Sequence, residues 1–250
     1  MRYKLICLMS SLCISFNAFA IEICGELKQG ELLIVKDGHK TSLLALKRDE
    51  KSPYHLGKVR FDVEKTAWEV QSIKGVAQNK VTPSRHDEAE IARERKDVGR
   101  ALNVKNNKRH DWQKGFILPV DGVTSGQFGN QRVFNGVKKN PHTGEDIAAP
   151  EGAEVKASAD GVVLLAGGNY FYSGNMVILD HGDGLQTIYA HLKQAKVKAG
   201  DEVKQGDVIG FVGHTGRATG PHLHWGASVN NVRFRPRSLL DITQKQCRSF

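Results

Sequence analysis

The chain is 250 residues long, 40% hydrophobic and 25% charged, with enough apolar content for one or two packed cores and too much for a wholly disordered chain. Its formal net charge is +9, and its four cysteines are too few for a disulfide scaffold. Beyond a short N-terminal stretch, no run approaches the ~20 apolar residues of a membrane-spanning helix, and no interleaved aromatic and basic platform points to nucleic acid.

Arg2 and Lys4 precede an apolar stretch from Leu5 to Phe16, and Ala18-Phe19-Ala20 has the small-x-small form of a peptidase cut site. Residues 1–20 therefore read as an export signal cleaved after Ala20, with the periplasm as destination, or else the cell wall or medium. No membrane-spanning segment is expected once it is removed. In those compartments the available polyanions are the cell wall and the membrane surface, so the basic balance does not make nucleic acid a partner. Cleavage leaves Cys24 and Cys247, and an oxidising compartment makes them candidates for one disulfide joining the two ends.

Residues 21–81 mix short β-branched runs with turns. Leu32-Leu33-Ile34-Val35 leads into the turn signal Lys36-Asp37-Gly38, and Phe61-Asp62-Val63 and Trp68-Glu69-Val70 alternate as half-buried strands do. A small N-terminal β domain is expected, with no chemistry attached. Residues 82–115 form a connector: Pro83 breaks the pattern, Ser84 caps a helix along 85–104, and a polar linker runs from Asn103 to Asp111. The sequence leaves open whether this segment is a free connector or an arm packed against the C-terminal domain.

The texture changes at Phe116. Nineteen of the 26 glycines lie in residues 116–250, and runs such as Gly161-Val162-Val163-Leu164-Leu165 and Met176-Val177-Ile178-Leu179 alternate with turn signals. The expected fold is mainly β, with an antiparallel sheet or sandwich over residues 116–242 and a short tail over 243–250. The segment Val197–Gly210 resembles the flattened barrel-sandwich of lipoyl domains, but no Asp-Lys modification turn sits where a carrier needs it.

Six of the ten histidines fall in 116–242. His142 and Asp146 form an H-x-x-x-D pair, His191 follows Tyr189-Ala190, and His222 and His224 form an H-x-H pair. Residues at i and i+2 of a strand share a face, so both imidazoles of the H-x-H pair reach one site. Imidazole and carboxylate are competent Zn²⁺ ligands, and three protein ligands with one open position mark a catalytic zinc. Spacing alone does not say whether His222, His224 or both would bind it. The same alternation puts Tyr189 on the face of His191, where it would either donate a hydrogen bond to the reaction or simply pack. His181 and His214 read as solvated turn histidines.

The segments Pro141-His142-Thr143-Gly144-Glu145-Asp146-Ile147-Ala148-Ala149-Pro150, Tyr189-Ala190-His191-Leu192 and Gly220-Pro221-His222-Leu223-His224-Trp225 resemble, in order, the three signatures of the lysostaphin/LytM-type zinc metalloendopeptidases, which cleave peptidoglycan. The resemblance implies one Zn²⁺ per chain held by His142, Asp146 and His224, with His191 and His222 as an unligated catalytic pair. It implies hydrolysis of peptidoglycan peptide crosslinks, with D-alanyl–diaminopimelate as the bond in a periplasmic setting. Two other classes compete: an inactive relative that activates another wall hydrolase, and a lipoyl-like wall-binding module. All five polar positions of the site are present, which neither alternative requires.

Overall fold

The computed structural model describes residues 20–250. The expected export signal lies outside them but for Ala20. Among the described residues no helix is long and apolar enough to cross a membrane.

The chain begins with β1 (Glu22–Cys24), β2 (Leu32–Asp37) and β3 (Lys40–Ala45), followed by the hairpin β4 (Tyr54–Leu56) and β5 (Val59–Phe61) and by β6 (Val70–Ile73). Two helices come next, α1 (Gln78–Val81) and α2 (Glu88–Leu102). The remainder is mainly strand: β7 (Val123–Gly126), β8 (Gln131–Phe134), β9 (Val137–Lys138), β10 (Gly144–Ala148), β11 (Glu154–Lys156), β12 (Gly161–Tyr170), β13 (Gly174–Asp180) and β14 (Leu185–Ala195). It ends with β15 (Glu202–Val203), β16 (Val208–Val212), β17 (His222–Val229), β18 (Val232–Phe234) and β19 (Cys247–Ser249). The fold is mainly β, and its large sheet is antiparallel in the order β15-β12-β13-β14-β17-β10-β7, with no closed barrel. Among the described strands, β6 and β8 make the one parallel pair.

Two junctions tie the N-terminal region to this sheet. β19 pairs with β1, placing Cys247 opposite Cys24, and the two sulfurs are bonded. Leu32 and Ile34 alternate along β2 and enter the same core as Tyr189, Trp225 and Phe234. The opposite face, carrying Leu33, packs with Phe61 and Val63 in a smaller cluster. The two regions therefore share one core, and β2 is buried on both faces.

The helix covers the other side of the large sheet. Ala101 and Leu102 pack with Val98 on Met176, Ile178, Ile188 and Ala190. The segment is thus an arm docked on the sheet, a choice the sequence left open. Glu94 fixes the docking: its buried carboxylate accepts the backbone N–H of Tyr172 (2.8 Å) and Ser173 (3.0 Å) and the Ser173 hydroxyl (2.6 Å).

Candidate active site

Three strands build the floor of the site. Asp146 of β10, His224 of β17 and Ala190 of β14 lie side by side, and cross-strand neighbours share a face. His222 stands two residues before His224 and faces Ala148, so the H-x-H pair points both rings to one side. His142 lies in the loop before β10. That loop is fastened to the preceding one by Gly129 N–H to His142 O and His142 N–H to Asn130 O, both 2.9 Å.

Three donor atoms converge. His142 Nε2, Asp146 Oδ1 and His224 Nδ1 lie 2.9–3.0 Å from one another. The His142 Nδ1 faces the Gln127 carbonyl at 3.0 Å, which can only accept, so Nδ1 carries a proton and Nε2 is the nitrogen turned to the cluster. Lone pairs of imidazole aimed at a carboxylate oxygen repel unless a cation or proton lies among them. Two imidazoles and a carboxylate are a fitting donor set for zinc, whose ligands at about 2.0–2.2 Å would stand slightly farther apart than this. Arg132 Nη2 holds the second oxygen, Asp146 Oδ2, leaving Oδ1 to the histidines. Sequence reasoning missed Arg132, because nothing local to it marks a partner fourteen residues on.

Two glycines make room for this packing. A Cβ at Gly144 would stand 2.7 Å from His224 Nε2, and one at Gly126 would stand 2.9 Å from both Arg132 Nη2 and Asp146 Oδ2.

His191 and His222 stand beside the triad, their ring centroids 4.8 Å apart, with His191 5.9 Å from the His224 ring. The His191 Nδ1 faces the Thr215 carbonyl and the His222 Nδ1 faces the Gly220 carbonyl, each at 2.8 Å. Both rings therefore donate through Nδ1 and keep Nε2 for the site. His222 Nε2 lies 3.9 Å from Asp146 Oδ1. All five polar residues expected from the sequence are thus brought together.

Burial raises the Asp146 carboxyl, but the imidazoles of His142 and His224 outweigh it and hold the group well below the usual carboxylate range. Burial pushes His224 down to about 4 and His191 to about 3, the latter helped by its histidine neighbours. Both rings are accordingly neutral at pH 7, the form that presents a lone pair.

Two sequence readings need correction. Tyr189 does not join His191. One extra residue on β14 opposite β13 makes a bulge at Ala190–His191, with His191 at φ 62°, and breaks the alternation. The bulge swings His191 to the side of Ala190. Tyr189 stays in the core beside Trp225, where its hydroxyl accepts Ser158 N–H and bonds Thr187 Oγ1, both at 2.9 Å. His181 is not solvated: it is fully buried between the Asp160 carbonyl (2.6 Å) and Thr187 Oγ1 (2.7 Å). His214 is exposed, as expected, with its Nδ1 3.1 Å from Glu151.

Comparison with known proteins agrees with this geometry. Over 98 residues, 39% of this chain and 22% of the relative, the sequence is 51% identical to the DD-carboxypeptidase/endopeptidase Mpg of Neisseria meningitidis. It is 38% identical over 140 residues, 53% of this chain and 32% of the relative, to the peptidoglycan DD-endopeptidase ShyA of Vibrio cholerae. The chain thus spans between about a fifth and a third of the length of these curated relatives. A solved structure from Pseudomonas aeruginosa described as a candidate peptidase M23 superposes with a TM-score of 0.57 at 27% identity, covering 90% of this chain and 89% of that one. The sequence matches the description Peptidase family M23 over residues 140–236, and this chain therefore carries a peptidase M23 domain that includes His142, Asp146, His191, His222 and His224.

Proposed function

We propose that this chain is an exported zinc endopeptidase that hydrolyses peptide crosslinks of peptidoglycan, and that the bond is D-alanyl–diaminopimelate. The observation that carries the reading is the convergence of His142 Nε2, Asp146 Oδ1 and His224 Nδ1 within 3.0 Å, flanked by two further imidazoles that offer Nε2. The names of the relatives, DD-endopeptidases of peptidoglycan, support the substrate class.

In this reading His142, Asp146 and His224 hold the metal and Arg132 orients Asp146. When bound, zinc supplies a Lewis acid for the scissile carbonyl and brings the pKa of a bound water from 15.7 to about 7. His191 and His222, with Nδ1 committed to backbone carbonyls, turn Nε2 to the site: one accepts the proton of the attacking water there, and the Nε2–H so formed can donate to the charge developing on the carbonyl oxygen or to the leaving nitrogen. The bulge at His191 serves this geometry, because a regular strand would turn that ring into the core. Residues 1–20 would be removed on export to the periplasm, leaving a strand-rich region from 21, the docked connector 82–115, the catalytic part 116–242 and the tail.

The purified protein, loaded with one equivalent of zinc and incubated with sacculi, is expected to convert dimeric muropeptides to monomers, read by mass spectrometry. His142→Ala is expected to lose both zinc and turnover. His222→Ala is expected to keep zinc while turnover falls by about 10²–10⁴. Zinc-loaded protein that binds sacculi without cutting any peptide bond would overturn the reading in favour of a binding module or regulator.

A further inference from the structure

The cleft beside the triad has a volume of about 750 Å³, and its walls include Arg95, Arg132, Lys138, Lys139 and Arg217 but no aspartate or glutamate. A space bounded by five cations with no acidic wall residue concentrates anions. Arg132 and Arg217 also line a smaller cavity of about 280 Å³ on the side of His222.

Arg217 differs from its neighbours in being both half-buried and, among the described residues, unpaired, whereas Arg95 and Lys138 are exposed. Arg132 is paired with Asp146, and Lys139 Nζ bonds the Val81 carbonyl. The guanidinium of Arg217 has neither an ion pair nor a hydrogen bond among the described residues; only its backbone N–H is engaged, with the Tyr172 carbonyl at 2.8 Å. Its carbon lies over two aromatic rings, 4.7 Å from the Phe134 centroid and 4.5 Å from that of Tyr172. The nearby Glu94 carboxylate is taken by Tyr172 and Ser173. Stacking engages the faces of the guanidinium, whereas its five N–H donors lie in the plane and fit a carboxylate bidentately. Arg217 also sits in the loop between β16 and β17 whose Thr215 and Gly220 carbonyls set the two site histidines. Partial burial, reinforced by the charge of Arg132, pulls its pKa down from the usual value against the opposing pull of Tyr172 and Glu94.

We propose that Arg217 is the receptor for a free carboxylate that the substrate peptide carries next to the scissile bond. This rests on the endopeptidase reading and names the substrate feature that the site selects. In a D-alanyl–diaminopimelate link, the carbon attached to the scissile nitrogen bears such a carboxylate. Its capture would fix the register of the crosslink against His191 and His222, and Arg132 would add positive field from the same wall.

The test uses a ketomethylene isostere of the crosslinked peptide, which cannot be hydrolysed, made with that carboxylate free or converted to the carboxamide. Titration calorimetry on the zinc-loaded protein is expected to give a dissociation constant about tenfold or more lower for the free acid. Arg217→Gln is expected to bring the two ligands within about twofold by weakening only the acid, and Arg217→Lys to restore part of the difference. Equal binding of both ligands by the unaltered protein would overturn the proposal without recourse to any variant. So would an Arg217→Gln protein, folded by its melting transition, that weakens both ligands by one factor. Hydrolysis of the parent amide is measured alongside: its absence, with the acid preference intact, would remove the endopeptidase reading and leave the carboxylate receptor standing.

Discussion

Arg132 and Asp146 form a buried pair in which the guanidinium takes Oδ2 and so directs Oδ1 toward His142 and His224. A carboxylate with one oxygen committed has lost the freedom to rotate away from the donor cluster. Such outer partners are typically worth 10–100-fold in metal affinity. Arg132→Ala is therefore expected to weaken zinc binding by about that factor, measured by competition with a chromophoric chelator. Unchanged affinity in a folded variant would show that Asp146 needs no such support.

Glu94 links the helix to the site at one remove. It holds the Tyr172–Ser173 turn, and the Ser173 carbonyl in turn accepts the His191 backbone N–H at 2.9 Å. Glu94→Ala leaves two half-buried N–H groups without this partner, a loss of about 1.5–3 kcal/mol on the scale of hydrogen bonds to charged groups. The urea midpoint should fall accordingly. Amide exchange at Tyr172 and Ser173 should accelerate, and turnover should drop as His191 loosens, while zinc content holds.

His181 gives the fold a defined sensitivity to acid. Burial lowers its pKa to about 4, against about 6.5 in the unfolded chain. Between those values the unfolded state binds the proton and the folded state does not, so stability falls as pH drops from 6.5 to 4 and levels off below. The slope from this one group is at most about 1.4 kcal/mol per pH unit. His181→Gln removes the dependence. Its destabilisation relative to the unaltered protein should shrink as denaturation is repeated from pH 7 toward pH 4; a constant difference would contradict the assignment.

The Cys24–Cys247 bridge closes a loop of 223 residues and pins β19 to β1. Constraining so long a loop in the unfolded chain is worth about 2–5 kcal/mol. The double variant Cys24→Ser/Cys247→Ser is expected to lose stability in that range in urea. Because the pair lies on the N-terminal sheet, away from the donor cluster, zinc affinity should be unchanged.

What the sequence determined by itself is the local chemistry. The alternation of a strand is covalent, so His222 and His224 share a face wherever β17 lies, and the glycine-rich texture marked the mainly β region. The tertiary structure decided the rest. Tyr189 parted from His191 because a single extra residue in β14 breaks the alternation, and a bulge is set by pairing with β13 rather than by β14 alone. His181 went into the core because Asp160 and Thr187 met its two nitrogens there, leaving no polar atom of the ring unsatisfied. Arg132, Glu94 and Arg217 carried no local signal, since each owes its surroundings to residues from distant strands or from the docked helix. Sheet register and helix docking are collective outcomes of burying apolar faces, and they alone fix which side chain stands opposite which.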